Sequence, residues 1–327
     1  MTKTPVIIDC DPGIDDVMAL LLAFASDELD IRLITTEPGN QTQDKTIYNA
    51  RAFASYMKQN IEIARGLDAP FFRQLAVAGY VHGETGLGNW TLPEPTLPES
   101  DRTAIEAMKD VLMTSEEPIV LIATGPLTNI AALLFAHPEV KPKIRYISYM
   151  GGAAVGGNTT PTTEFNVFVD PHAADIVFRS GVPIVMSGLD LTHKSFVTLE
   201  EIAEIEALGT ELAEQISSLL KFYTSYAKQT PFHEENYETN IRLHDLCAVS
   251  YVVRPELFKG DDYHVEVEIE GRLTAGTTVV DYMERTGLPK NVHVLHTVDR
   301  DAFRDHFFEA IKKMDRYIEK VPVSILE

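Results

Sequence analysis

Four carboxylates fall within eight residues near the start of the chain, in the segment Val6-Ile7-Ile8-Asp9-Cys10-Asp11-Pro12-Gly13-Ile14-Asp15-Asp16. Val6–Ile8 reads as a buried strand. Side chains two apart on a strand share a face, so Asp9 and Asp11 point the same way. Pro12-Gly13 supplies a turn, and Asp15 and Asp16 enter the first turn of the next helix. Acids favour helix N-termini, which accounts for Asp15 or Asp16. It does not account for Asp9 and Asp11 arriving at the same place. Like charges crowded at the end of a buried strand repel one another, and a bound cation resolves that repulsion. Oxygen-only ligands suit a hard ion, Ca²⁺ or Mg²⁺. The spacing is not that of an EF-hand loop.

Such a cluster needs a scaffold that ends a buried strand at a cleft. Short Val- and Ile-rich runs alternate with helical patterns along the chain. Strands are expected at 6–8, 31–36, 61–64, 119–124, 144–149 and 184–187. Helices are expected at 14–25, 44–57, 103–113, 126–136 and 171–180. This alternation predicts an α/β fold with an open, mostly parallel, Rossmann-like sheet and helices on both faces. Residues 66–100, rich in Gly, Pro and aromatics, read as a long loop. Residues 198–255 read as a helical insertion. Three strand-like runs follow between 264 and 298, and a helix over 301–317 closes the chain. No linker-like stretch interrupts the pattern, so residues 1–327 are expected to form a single domain. In open α/β sheets ligands bind at the carboxyl ends of the strands, where the polar clusters fall.

Composition narrows the function. The 327 residues carry 49 acidic and 28 basic side chains, a net charge of −21. That field repels phosphate backbones, so nucleic acid is not an expected partner. Hydrophobic residues make up 45% of the chain, enough for a large core. The two cysteines, Cys10 and Cys247, indicate no disulfide framework and fit a reducing cytoplasm. Neither a signal peptide nor an apolar run of membrane-spanning length is visible.

From the acidic segment onward the chain resembles the inosine-uridine preferring nucleoside hydrolases. Asp9, Asp11, Gly13, Asp15 and Asp16 match the family's Asp-x-Asp-x-Gly-x-Asp-Asp signature. Further blocks follow in the family's order: Thr35-Thr36-x-x-Gly39-Asn40, His82-Gly83-Glu84, Ala123-Thr124-Gly125-Pro126-Leu127-Thr128-Asn129 and Met150-Gly151-Gly152. Asn158, Glu164-Phe165-Asn166, Gly188-Leu189-Asp190-Leu191-Thr192 and His244-Asp245-x-Cys247-Ala248 complete the set. Haloacid-dehalogenase-type phosphatases also open with Asp-x-Asp, but Gly13 stands where they usually carry Thr or Val, and basic residues for a phosphate are scarce.

The resemblance implies calcium-dependent hydrolysis of the N-glycosidic bond of ribonucleosides, in nucleoside salvage, by a homodimer or homotetramer. It implies Ca²⁺ held by Asp11, Asp16, the Thr124 carbonyl and Asp245. Asp11 would be the general base and His244 the general acid, with His82 near the leaving base. Asp15, Asn40, Met150, Asn158, Glu164 and Asn166 would bind the substrate. Gly79–Trp90 is a candidate mobile loop. Trp90 could stack on the base or pack in the core, and Tyr223, Tyr226 and Tyr237 lie where the family places residues that cover the base. Asp9 and Asp190 are expected to support the site from behind. A nucleoside phosphorylase would need a phosphate site, against which the acidic clusters argue. A non-catalytic nucleoside-binding protein should have lost Asp11, His244 or a metal ligand.

Overall fold

The structure is a computed structural model in which residues 3–227 and 239–320 are described. Its strands are β1 (Thr4–Cys10), β2 (Leu29–Thr36), β3 (Ile63–Arg65), β4 (Ile119–Ala123), β5 (Ile144–Met150) and β6 (Ile184–Ser187). β7 (Phe196–Thr198), β8 (Asn240–Arg242), β9 (Phe258–Tyr263), β10 (Val265–Val267), β11 (Thr278–Val280) and β12 (Val292–Val298) follow.

Eight of these strands form one sheet in the order β3-β2-β1-β4-β5-β6-β12-β9. Every neighbouring pair is parallel except β12 with β9. The chain winds outward from β1 to β2 and β3, then returns to lay β4 on the other side of β1. The crevice between the ends of β1 and β4 is therefore a topological switch point, where open α/β sheets bind ligands.

Alternation along the strands feeds two cores. Val6 and Ile8 of β1, with Val120 and Ile122 of β4, pack under helices Ile14–Ala25, Gln43–Tyr56, Leu246–Val253 and Arg300–Lys320. Ile7, Leu33, Ile119 and Leu121 face helices Ala104–Thr114, Thr128–Ala136 and Pro171–Phe178. A sheet buried on both sides explains why β1 and β4 read as unbroken apolar runs. Helix Ile14–Ala25 buries 11 of its 12 residues. Leu20, Leu21 and Leu22 are all fully buried, each contributing about 1.5–3 kcal/mol by the burial of its side chain. The helix is thereby fixed against the sheet, and with it the carboxylates of its first turn.

The elements depart from expectation in two places. The stretch read as a helical insertion holds helices Leu199–Glu206 and Glu211–Ala227, but also β8, which pairs antiparallel with β7. This ribbon returns the chain to the sheet end just before His244. The second is β9, the antiparallel edge strand Phe-Lys-Gly-Asp-Asp-Tyr. Its Gly and Asp are poor strand formers, and its exposed charges suit a protected sheet edge. Of the three later strand-like runs, only β12 joins the main sheet, while β10 and β11 pair with each other. Within residues 66–100 the single regular element is the four-residue helix Gly79–His82.

Candidate active site

β1 ends at Cys10, and the chain turns through Pro12-Gly13 into helix Ile14–Ala25. Asp16, in the first turn of that helix, accepts four hydrogen bonds. One oxygen accepts from the Asp11 amide at 3.3 Å and the Thr124 hydroxyl at 2.8 Å. The other accepts from the Gly13 amide at 2.9 Å and the Asn40 side-chain amide at 2.8 Å. The capping function is thus real, since Asp16 caps its own helix through Gly13. It also ties the ends of β1, β2 and β4 together.

Asp11 is fully buried. Its Oδ2 accepts from the Asn40 backbone amide at 2.7 Å, while its Oδ1 has no hydrogen-bond partner. Burial first, then the charge of Asp16, pushes the Asp11 carboxyl well above the usual range. Glycines allow the backbone to close around it. A Cβ at Gly39 would lie 2.2 Å from Asp11 Oδ2, and one at Gly125 would lie 2.9 Å from Oδ1.

Asp15, Asp16 and Asp245 each offer an oxygen within 4.8 Å of the others, and all three are buried. Burial raises Asp15 to about 7, helped by the charge of Asp16. Burial likewise drives Asp245 well up, with Asp15 and Asp16 adding to it. An oxygen-only donor set, mutual repulsion and the unpartnered Asp11 Oδ1 beside it fit a hard divalent cation. The compact trio contains Asp15, expected on the ribose, and not Asp11. Asp11 stands next to the trio through the shared Asp16 contacts. The Thr124 carbonyl, the fourth expected ligand, accepts from the Asn166 side-chain amide at 2.9 Å. A carbonyl has a second lone pair, so this does not bar it from a ligand role.

A cleft opens above the cluster, lined by Asp15, Asn40, His82, Thr124, Met150, Asn158, Glu164, Asn166, His244 and Asp245 among others. The cleft lining thus holds every expected site residue except Asp11 and Asp16, which are fully buried. Asn40 spends both side-chain amide hydrogens inside the cluster, on Asp16 and the Asp11 carbonyl. Only its carbonyl oxygen remains for a ligand. Asn166 likewise commits its amide hydrogens to the carbonyls of Thr124 and Met150. Glu164 caps helix Phe165–Val169. Its Oε2 accepts from the amides of Gly152, Asn166 and Val167, while burial still raises it to about 7.

The two histidines differ. His82 accepts at Nδ1 from the Ile14 amide at 3.0 Å, so its ring proton is on Nε2. Burial lowers its pKa to about 3, which keeps it neutral. His244 pairs through Nδ1 with the Thr192 hydroxyl at 2.8 Å, and burial, aided by His193 and Arg242, holds it well below the ordinary value.

Aromatic expectations sort cleanly. Trp90 is a core residue, packed edge-on against Phe53 and Tyr56 at 6.0 and 5.3 Å. Tyr223 lines the cleft with its ring 5.7 Å from His82. Tyr237 and the side chain of Tyr226 lie outside the described residues. Asp9 turns away from the cluster. It accepts from Thr35 at 2.6 Å and Asn129 at 3.0 Å, bracing β1 against β2 and helix Thr128–Ala136. Asp190 accepts from the Ala154 amide at 2.5 Å and holds the loop after β5.

Among the residues of the site region that the sequence did not flag, three charged or titratable ones stand out. His193 and Arg242 line the cleft beside His244. Glu37 is buried against Asp9 and Asp11, and burial followed by their charges raises it strongly. A charged residue directly after a buried strand was the available signal for Glu37. Arg242 and His193 carry no local pattern, since only the β7–β8 ribbon brings them together.

A carboxylate nest at the switch point of a parallel sheet, under a cleft of amides, carboxylates and imidazoles, defines an α/β enzyme for a small, hydroxyl-rich substrate. Residues 6–305 match the family described as inosine-uridine preferring nucleoside hydrolase. A pyrimidine-specific ribonucleoside hydrolase RihA of Enterobacter is 45% identical over 310 residues, covering 94% of this chain and 97% of that one. Its counterpart in an Escherichia coli O1:K1 strain is 44% identical over 309 residues, with 94% and 98% covered. The solved purine-preferring ribonucleoside hydrolase of Gardnerella vaginalis superposes with a TM-score of 0.89 at 30% identity, covering 96% of this chain and all of that one. A plant nucleoside hydrolase gives 0.86 at 30% identity, over 95% and 99%. The chain belongs to the inosine-uridine preferring nucleoside hydrolase family, and it is a ribonucleoside hydrolase, an enzyme that splits N-glycosidic bonds.

Proposed function

We infer that the enzyme hydrolyses pyrimidine ribonucleosides to ribose and free base, with a calcium ion in the carboxylate nest, and serves nucleoside salvage. The observation that carries the metal and the sugar together is the grouping of Asp15, Asp16 and Asp245, of which Asp15 and Asp245 line the same cleft as Asn158, Glu164 and Asn166. The pyrimidine preference rests on the relatives at 44–45% identity, against 30% for the purine-preferring one.

Asp16, Asp245 and the Thr124 carbonyl would hold the ion, with Asp11 and Asp15 closing the set. When bound, Ca²⁺ supplies a fixed positive charge that orients vicinal hydroxyls and a water molecule. Asp11 takes the proton from the attacking water as the water oxygen bonds to C1′. The positive charge of the ion would offset the burial and repulsion acting on this carboxylate and keep it ionised, as a base must be. The electron pair of the glycosidic bond leaves with the nucleobase, which then takes up a proton. Positive charge grows on the ribose ring, as in other glycoside cleavages. The surrounding carboxylates favour that cation over the neutral ground state. Glu164 and the side-chain carbonyls of Asn40 and Asn166 anchor the sugar hydroxyls. His244, neutral at rest, takes up a proton from solvent as negative charge develops on the base beside it and passes that proton to the base, while the proton on Asp11 returns to solvent on turnover.

Release of free ribose from uridine, cytidine, inosine, adenosine and guanosine in phosphate-free buffer tests the reading. Uridine and cytidine should lead, and 2′-deoxyuridine should be turned over at least tenfold more slowly, since a missing hydroxyl leaves buried partners unpaired. Preferred cleavage of purine ribosides would overturn the substrate class. Binding of all five without release would overturn the hydrolytic role.

A further inference from the structure

Departure of a pyrimidine concentrates negative charge on the base, spread from its ring nitrogens to its carbonyl oxygens. The cleft is otherwise rich in carboxylates, which disfavour an anion. Among the described residues that line it, Arg242 is the only lysine or arginine. It is the last residue of β8, where it pairs with Phe196 of β7. Its side chain is almost wholly buried, at 6% exposure. Its Nη1 donates to the Asn240 carbonyl at 2.8 Å. It stands two residues before His244, close enough for its charge to act on that imidazole, whose ring lies 6.0 Å from that of His193.

We propose that Arg242 is a catalytic residue that stabilises the leaving base, by a charge-assisted hydrogen bond to a pyrimidine carbonyl oxygen. This rests on the hydrolase reading above. A guanidinium stays charged at every working pH and presents several donors in a fixed fork. The arrangement does for the leaving group what an oxyanion hole does in acyl transfer. The bond bookkeeping is unchanged: water oxygen joins C1′, its proton goes to Asp11, and the glycosidic pair departs on the base. Arg242 holds that charge until a proton arrives.

The test compares Arg242→Gln with wild type on uridine, 5-fluorouridine and 4-nitrophenyl riboside, as kcat and KM separately. Loss of kcat should be about 10²-fold on uridine, in the range for removing one such donor. It should be smaller on 5-fluorouridine, whose base leaves more easily, and least on 4-nitrophenyl riboside, whose phenolate needs no help. An equal loss on all three would mean a structural role and would overturn the proposal, as would an unchanged rate on uridine. If Arg242→Gln does not accumulate as folded protein, Arg242→Lys is read on the same substrates with the same graded order expected. A wild-type enzyme inactive on every nucleoside would instead overturn the hydrolase reading itself.

Discussion

At the level of single residues the site rests on carboxylates whose charges are confined. Asp11→Asn preserves the side chain's shape and its acceptor for the Asn40 amide, so the fold should survive. Turnover should fall by about 10²–10⁴-fold, the usual contribution of a positioned base. A variant that keeps most of its kcat would remove Asp11 from that role. Glu164 offers a pH test. Its folded pKa of about 7 lies above its ordinary 4.5. The folded state therefore holds the proton more tightly, and the stabilisation it brings is full below about 4.5 and lost as pH rises through about 7. Glu164→Gln cannot lose a proton. Its melting temperature relative to wild type, measured without metal, should climb between about pH 5 and pH 8, and a flat difference would contradict the assignment. The acidic segment was legible because residue type and spacing were enough to flag it. Asn40 was legible as a site residue, but not the commitment of its amide hydrogens to Asp11 and Asp16, which depends on how β1 and β2 end side by side.

At the element scale the site is held by joints between segments distant in sequence. His82 links the short helix Gly79–His82 to helix Ile14–Ala25 by accepting the Ile14 amide. Removing a buried amide's acceptor costs about 1–3 kcal/mol. His82→Ala should therefore lower stability by that amount in urea unfolding, and an unchanged midpoint would show the bond to be dispensable. Gly39→Ala would drive a Cβ to 2.2 Å from Asp11 Oδ2. We expect folded protein with a lower calcium affinity and a kcat reduced at least tenfold, read by calorimetry and ribose release. Wild-type values for both would mean the backbone yields without moving Asp11. The buried parallel strands were visible in the sequence as apolar runs. β8 and β9 were not, because a short ribbon and a charged edge strand carry neither apolar runs nor clear alternation. Trp90 shows a similar limit: a loop aromatic reads alike whether it meets a ligand or, as here, Phe53 and Tyr56.

At the scale of the whole molecule, fold and site are one arrangement. The sheet order puts β1 and β4 side by side, and the ribbon β7–β8 returns His244 and Asp245 to the same crevice from the far half of the chain. Ordered sequence blocks foretold that these residues belong together. They could not foretell that Arg242 arrives with them. The molecule as a whole carries a charge of −21, with a dense share of it in this nest, so a divalent cation should stabilise the folded state by mass action. No helix among the described residues is long and apolar enough to cross a membrane.

The most direct test of the central claim is a calcium titration of metal-free enzyme, following heat of binding and ribose release from uridine on the same sample. One ion per chain should bind, and the hydrolysis rate should rise from near zero in step with occupancy. Full activity in the metal-free enzyme, or stoichiometric binding that leaves the rate unchanged, would contradict it.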